Sequence, residues 1–213
     1  MIGIVMAGGQ SSRLGQDKSR LSLYGSGSAT LLERTVALLQ TCTDAVFVSC
    51  RASQNVFPFS AIHDSLEGAG PAGGILSALR TVNEAILVLP CDLPFMHAAL
   101  LQRLVNARAQ RTSQSVMTAF GLEGQHHIEP LVAVYEQGAR MWFEKAAATG
   151  QRKLQHIVPE EYRTLVPYSP EEAYAFLNIN TPEDLRQALR RANSPCTQRL
   201  TSEGIDDSLH APS

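Results

Sequence analysis

Three runs of consecutive apolar residues limit this chain to few folds: Ile2-Gly3-Ile4-Val5-Met6, Ala45-Val46-Phe47-Val48 and Ala85-Ile86-Leu87-Val88-Leu89. A strand with one wet face alternates apolar and polar residues; a strand covered on both faces, as in a parallel sheet, is apolar on consecutive residues. Stretches with helical spacing separate the runs. Thr30-Leu31-Leu32-Glu33 has the pattern of a capping box and opens a helix with Leu32, Val36 and Leu39 on one face. Residues 71–82 put Ile75, Leu76, Leu79 and Val82 at helical spacing, and residues 97–109 do the same with Leu100, Leu101, Leu104 and Val105. Strand–helix alternation of this kind implies an α/β fold with a single doubly wound, mostly parallel sheet and right-handed crossovers.

The second half is less regular. Strands are expected over 115–120 and 131–135 and a helix over 136–148. Thr181-Pro182-Glu183-Asp184 opens a last helix, with an N-cap, Pro at the first position and acids in the first turn. Residues 193–213 are polar and aperiodic, so the 213-residue chain reads as one domain over 1–192 followed by a disordered tail. Tyr24-Gly25-Ser26-Gly27-Ser28 reads as a flexible loop.

Charge excludes several roles. With 18 Lys+Arg against 20 Asp+Glu, spread along the chain, no basic face for nucleic acid is expected. No run approaches the roughly 18 apolar residues of a membrane span. Residues 1–10 lack a basic segment and a cleavage site, so a cytoplasmic location is expected. Cys42, Cys50, Cys91 and Cys196 show neither C-x-x-C nor metal-ligand spacing and read as reduced thiols.

The most informative stretch follows the first run: Met6-Ala7-Gly8-Gly9-Gln10-Ser11-Ser12-Arg13-Leu14-Gly15-Gln16-Asp17-Lys18. Glycines remove the Cβ obstacle and let backbone N–H groups approach an anionic or planar ligand. Arg13 and Lys18 add two cations, enough to hold a triphosphate. The P-loop pattern fails here because Gln16-Asp17 separates Gly15 from Lys18, and the dinucleotide fingerprint G-x-G-x-x-G is absent. The alternative is a glycine turn with two solvated cations. Lysine is scarce, at positions 18, 145 and 153 only, which favours a ligand-binding loop.

Pro90-Cys91-Asp92-Leu93-Pro94 follows the third run. Ligands of open α/β sheets bind beyond the carboxyl ends of strands, so Asp92 can meet a metal-bound phosphate. Mg²⁺ needs only one or two carboxylates besides phosphate oxygens and water. The competing reading is an Asp that caps a helix starting near Phe95. Cys91 reads as a small packed residue, His126-His127 as a solvated loop, and Met6, Met96, Met117 and Met141 as core fillers.

On these residues the chain resembles the molybdenum cofactor guanylyltransferases, within the wider nucleotidyltransferase superfamily of Rossmann-like fold. The resemblance rests on the Met6-to-Lys18 loop and on Cys91-Asp92-Leu93-Pro94-Phe95. It continues at His63-Asp64-Ser65, Gly70-Pro71-Ala72-Gly73-Gly74, Glu129-Pro130-Leu131 and Asn178-Ile179-Asn180-Thr181-Pro182-Glu183-Asp184-Leu185, covering residues 2–190. It implies transfer of GMP from GTP to molybdopterin with release of pyrophosphate. Arg13, Lys18 and Asp92 would be catalytic, with Asp92 holding Mg²⁺, joined by Asn180 or Asn178. Guanine would be recognised by Met6, Ala7 and Gly8, by Ser49 and by the Asp64 carboxylate, and Gly9, Lys18 and Asp92 would join them in binding the nucleotide. Ser49 departs from the family, many of whose members carry Asn there. Gly70 to Gly74, Arg152 and Lys153 are expected to meet the anionic acceptor, against a solvated position for the last two. Partners implied are GTP and molybdopterin, with molybdoenzymes or other cofactor-biosynthesis proteins beyond them. Two alternatives stay open: the same fold with CTP and molybdopterin or a nucleotide and a sugar phosphate, and a nucleotide-binding module without catalysis.

Overall fold

The computed structural model describes residues 1–8, 18–23, 27–54, 56, 58–64, 66 and 69–192. Gly9, Arg13, Ser65, Cys196 and the tail at 193–213 lie outside the described residues. In chain order the elements are β1 (Ile2–Met6), α1 (Leu31–Gln40), β2 (Ala45–Cys50), β3 (Ala61–His63), α2 (Gly70–Thr81), β4 (Ile86–Pro90), α3 (Ala98–Ala109), β5 (Met117–Leu122), β6 (Ile128–Tyr135), α4 (Arg140–Thr149), β7 (Arg163–Tyr168) and α5 (Pro182–Ala192). The strands form one sheet in the order β3-β2-β1-β4-β6-β5-β7. Only β6 runs against the others, antiparallel to both β4 and β5.

The consecutive apolar runs have the environment their composition requires. All five residues of β4 are buried, as are the three central residues of β1. Val5, Leu87 and Leu89 face one layer, packed on Leu32, Val36 and Leu39 of α1 and Leu100, Leu101 and Leu104 of α3. Ile4, Ile86 and Val88 face the other, against Ile75, Leu76 and Leu79 of α2 and Phe143 of α4. The doubly wound sheet expected from the sequence is thus present. Helix α1 starts on the expected box: the Glu33 N–H donates to Thr30 Oγ1 at 3.2 Å, and the Thr30 N–H donates back to the Glu33 carboxylate at 2.7 Å. Such a cap contributes about 1 kcal/mol.

Two strands lie where no strand was expected. β3 has three residues and a single buried side chain, Ile62, too little for a periodic signal. β7 contains Pro167, which argues against a strand, yet β7 forms the sheet edge, where a missing N–H is tolerated. The helix expected over 136–148 begins as a 3-10 turn at Gln137–Ala139, continues as α4, and ends at Gly150 with φ +71°. Met141 is not a core residue, being 63% exposed on α4, whereas Met96 and Met117 are buried, Met6 partly. Cys42, Cys50 and Cys91 carry free thiols.

The topology positions the site. The chain moves outward from β1 to β2 and β3, then returns over α2 to β4 on the other side of β1. The winding direction reverses at β1, and the carboxyl ends of β1, β2, β3 and β4 open onto one edge.

Candidate active site

Met6 pairs with Ser49 on one side and Pro90 on the other, so three strands end level. The ladder runs past the strand ends: the Ala7 N–H donates to the Ser49 carbonyl at 2.9 Å, and the Cys91 N–H to the Met6 carbonyl at 3.2 Å. Cys91 is buried, as expected of a packed residue.

On the β4 side the structure brings Lys18, Asp92 and Asn180 together. Lys18 opens a 3-10 turn and extends its ammonium to 3.4 Å from Asp92 Oδ2 and 2.5 Å from Asn180 Oδ1. Ile179 is the anchor. Its side chain is buried with Leu23, Leu31 and Ala188, and its N–H donates to the Asp92 carbonyl at 3.0 Å. Asp184, in the first turn of α5, accepts from the N–H groups of Asn180 and Thr181 at 2.9 and 2.8 Å, while its own N–H donates to Thr181 Oγ1 at 3.2 Å. Thr181 is therefore the N-cap, and Asn180 is the last residue before it. Asn178 is exposed and makes none of these contacts.

Asp92 is the electrostatically uncomfortable member. Burial raises its pKa above the ordinary carboxylate value, against the opposing pull of Lys18. Among the described residues its buried Oδ1 has no hydrogen-bond partner, an unusual state for a carboxylate oxygen. The helix-cap reading for this residue fails, since α3 begins only at Ala98 with His97 at its cap. An orphaned carboxylate oxygen beside an amide oxygen fits a hard cation that completes its shell with phosphate and water. Among the described residues no group of three or more His, Cys, Asp or Glu converges that could hold a metal ion.

On the β2–β3 side, Ser49 Oγ donates to Asp64 Oδ1 at 2.9 Å, and the Asp64 N–H continues the ladder to the Cys50 carbonyl at 3.0 Å. Burial again raises the carboxyl pKa, partly offset by the Ser49 hydroxyl. Two glycines permit this packing. A Cβ on Gly8 would lie 3.2 Å from Asp64 Oδ2; one on Gly74 would lie 2.6 Å from Ser49 Oγ and 2.7 Å from Met6 Cε. Met6, Gly8, Ser49, Asp64 and Gly74 thus form one close-set cluster, with Ala7 in the adjoining ladder.

Arg152 and the glycine stretch Gly70 to Gly74 also converge: Ala72, Gly73, Gly150, Gln151 and Arg152 line one groove between the start of α2 and the end of α4. Lys153 is exposed and caps a 3-10 turn. His126 and His127 are exposed as expected, yet His127 Nε2 lies 3.0 Å from Glu129, whose carboxylate also accepts from Tyr168 Oη at 2.9 Å. That places the Glu129-Pro130-Leu131 motif at the start of β6, on the same edge. Sequence reading missed Gln54, which joins the ends of β1 and β2, and gave Asp184 only as an acid in the first turn of the last helix and as part of the matching 178–185 motif; neither lies in a periodic pattern that would single it out.

An open α/β sheet whose reversal edge gathers a lysine, a half-buried aspartate and glycine-bearing loops defines a nucleotide-handling α/β enzyme. The profile of the MobA-like NTP transferase domain matches residues 3–165, and the chain belongs to that family of nucleotidyltransferases. The Probable molybdenum cofactor guanylyltransferase of Chloroflexus aggregans is 35% identical over 196 residues, 87% of this chain and 92% of the relative. The Molybdenum cofactor guanylyltransferase of Photobacterium profundum is 30% identical, over 86% of this chain and 93% of the relative. Among solved structures, the molybdopterin-guanine dinucleotide biosynthesis protein A of Archaeoglobus fulgidus superposes with a TM-score of 0.70 at 26% identity, covering 90% of this chain and 98% of its own. A 2-C-methyl-D-erythritol 4-phosphate cytidylyltransferase from Thermus thermophilus shares the fold, with a TM-score of 0.63 at 18% identity. Among the described residues no helix is long and apolar enough to cross a membrane.

Proposed function

We propose that this chain transfers GMP from GTP to molybdopterin, forming the guanine dinucleotide cofactor and releasing pyrophosphate. The observation that carries the reading is the Lys18–Asp92–Asn180 corner, set beside the Ser49–Asp64 cluster in a chain similar to named guanylyltransferases.

A base seated at the β1–β2–β3 ends would meet the Asp64 carboxylate, which can accept from the guanine N1–H and exocyclic amine together. The phosphates would then run toward β4. There Lys18 would exchange Asp92 and Asn180 for phosphate oxygens and, with Arg13, stabilise the charge that moves onto the leaving pyrophosphate. A phosphate oxygen of the acceptor attacks the α-phosphorus in line, and the bond from that phosphorus to the β-phosphate oxygen breaks. A phosphate monoester is largely ionised near neutral pH, so the nucleophile needs no general base. Asp92, aided by the Asn180 oxygen, would hold Mg²⁺, which supplies charge neutralisation at the phosphates. The groove beside Arg152 offers the acceptor a cationic rim.

The test is pyrophosphate release by the full chain with Mg²⁺ and molybdopterin, using GTP, CTP, ATP and UTP in turn. Release with GTP alone, with a guanine dinucleotide product by mass, is expected. Release only with CTP would keep the chemistry and overturn the assignment of Asp64.

A further inference from the structure

The strand ladder at the base cluster is interrupted in an unusual way. In a parallel pair, a residue that donates its N–H to one partner accepts at its carbonyl from the N–H two residues further along. Ala7 donates to the Ser49 carbonyl at 2.9 Å, so the next rung should run from the Arg51 N–H to the Ala7 carbonyl. It does not. The Arg51 N–H donates instead to Gln54 Oε1 at 3.1 Å, and Gln54 Nε2 donates to the Ala7 carbonyl at 3.2 Å. One side-chain amide is spliced into the ladder, satisfying both backbone groups. The turn that returns Gln54 to this place is closed by its own N–H, which donates to the Arg51 carbonyl at 2.9 Å.

The splice fixes a peptide plane. With the Ala7 carbonyl held on Gln54, the N–H of Gly8 must point the opposite way, because the two groups of a trans peptide are antiparallel. Among the described residues that N–H has no acceptor. Gly8 stands against Asp64 Oδ2, at 3.2 Å from its would-be Cβ. A backbone donor on the residue that neighbours a carboxylate supplies the two kinds of partner the guanine edge needs, an N–H for the oxygen at C6 and an acceptor for N1–H and the C2 amine. Ser49 points its hydroxyl at Asp64, so it orients the carboxylate.

We infer that Gln54 is a specificity-setting positioning residue: its amide, acting as the last rung between β1 and β2, orients the Gly8 N–H to donate to the C6 oxygen of a guanine-type base. This rests on the guanylyl-transfer reading above and adds to it a residue that need not touch the nucleotide.

The experiment measures binding of GTP, ITP and 2,6-diaminopurine riboside triphosphate to the full chain by calorimetry, for wild type, Gln54→Leu and the near-isosteric Gln54→Glu. ITP keeps the C6 oxygen and lacks the C2 amine; the diaminopurine nucleotide carries an amine at C6. Loss of one oriented hydrogen bond predicts about tenfold weaker GTP and ITP binding in both variants. The GTP-to-ITP ratio, set by Asp64, stays constant, and discrimination against the diaminopurine nucleotide narrows. In turnover the change appears in KM for GTP while kcat holds. Gln54→Glu keeps the acceptor for Arg51 and so carries the test if Gln54→Leu fails to fold. Unchanged GTP affinity, or equal loss with all three nucleotides, would overturn the inference. Wild type that binds none of the three would overturn the functional reading itself, a failure visible before any variant is made.

Discussion

Lys18 and Asn180 are separated by 162 residues, yet the lysine ammonium sits 2.5 Å from the asparagine side-chain oxygen. The contact ties the loop after β1 to the turn before α5, and Asp92 completes it from the end of β4. Three distant parts of the chain therefore meet at one charge. In Lys18→Ala, turnover should fall about tenfold or more, since a cation aimed at developing phosphate charge is lost. Circular dichroism should report an unchanged fold, and near-normal pyrophosphate release would remove Lys18 from the mechanism.

Asp92 sets function against stability. Its pKa is raised in the folded state by burial, so the stability linked to this group is fully present below its unfolded pKa and is lost as pH rises through the folded one. At neutral pH the ionised side chain is thus a cost to folding. Asp92→Asn should melt at or above the wild-type temperature at pH 7, with the difference shrinking as pH falls into the carboxylate range, while turnover drops about tenfold or more. A lower melting temperature at pH 7 would contradict the burial argument.

Gly74 is required by contact. A Cβ there would press on Ser49 Oγ and Met6 Cε at 2.6 and 2.7 Å. Gly74→Ala should cost about 1–3 kcal/mol by overpacking and, by displacing the Ser49–Asp64 pair, weaken GTP more than it weakens free triphosphate. Parallel denaturant melts and nucleotide titrations separate the two effects.

Asp184 holds the turn that presents Asn180. Its pKa is lowered chiefly by the Asn180 N–H, so its contribution is present above the unfolded pKa and is lost as pH falls through the folded one. Asp184→Ala should lower kcat severalfold through a misplaced Asn180, although the carboxylate itself faces the α5 cap. A loss of stability with kcat intact would restrict Asp184 to capping.

Much of this was legible in sequence because the signals are local. Consecutive apolar residues in β1 and β4 announced strands covered on both faces, and Thr30 with Glu33 announced a helix start. Gly8 and Asp92 stood out by residue type beside a strand end, and Lys18 by the scarcity of lysine. The edge strands β3 and β7 did not, since a three-residue strand has no period and Pro167 is acceptable only where no neighbour needs its N–H.

From the sequence alone come the α/β alternation, the glycine-bearing loop and the candidate carboxylates, because backbone periodicity and side-chain chemistry are properties of neighbouring residues. Only tertiary structure decided that Asn180 rather than Asn178 reaches Lys18, since buried Ile179 fixes which asparagine faces the β4 loop. It also decided that Ser49 serves Asp64, and that Gln54 takes the place of a ladder rung. Those outcomes depend on where separate strands end relative to one another, a quantity set by sheet register and packing across the whole molecule.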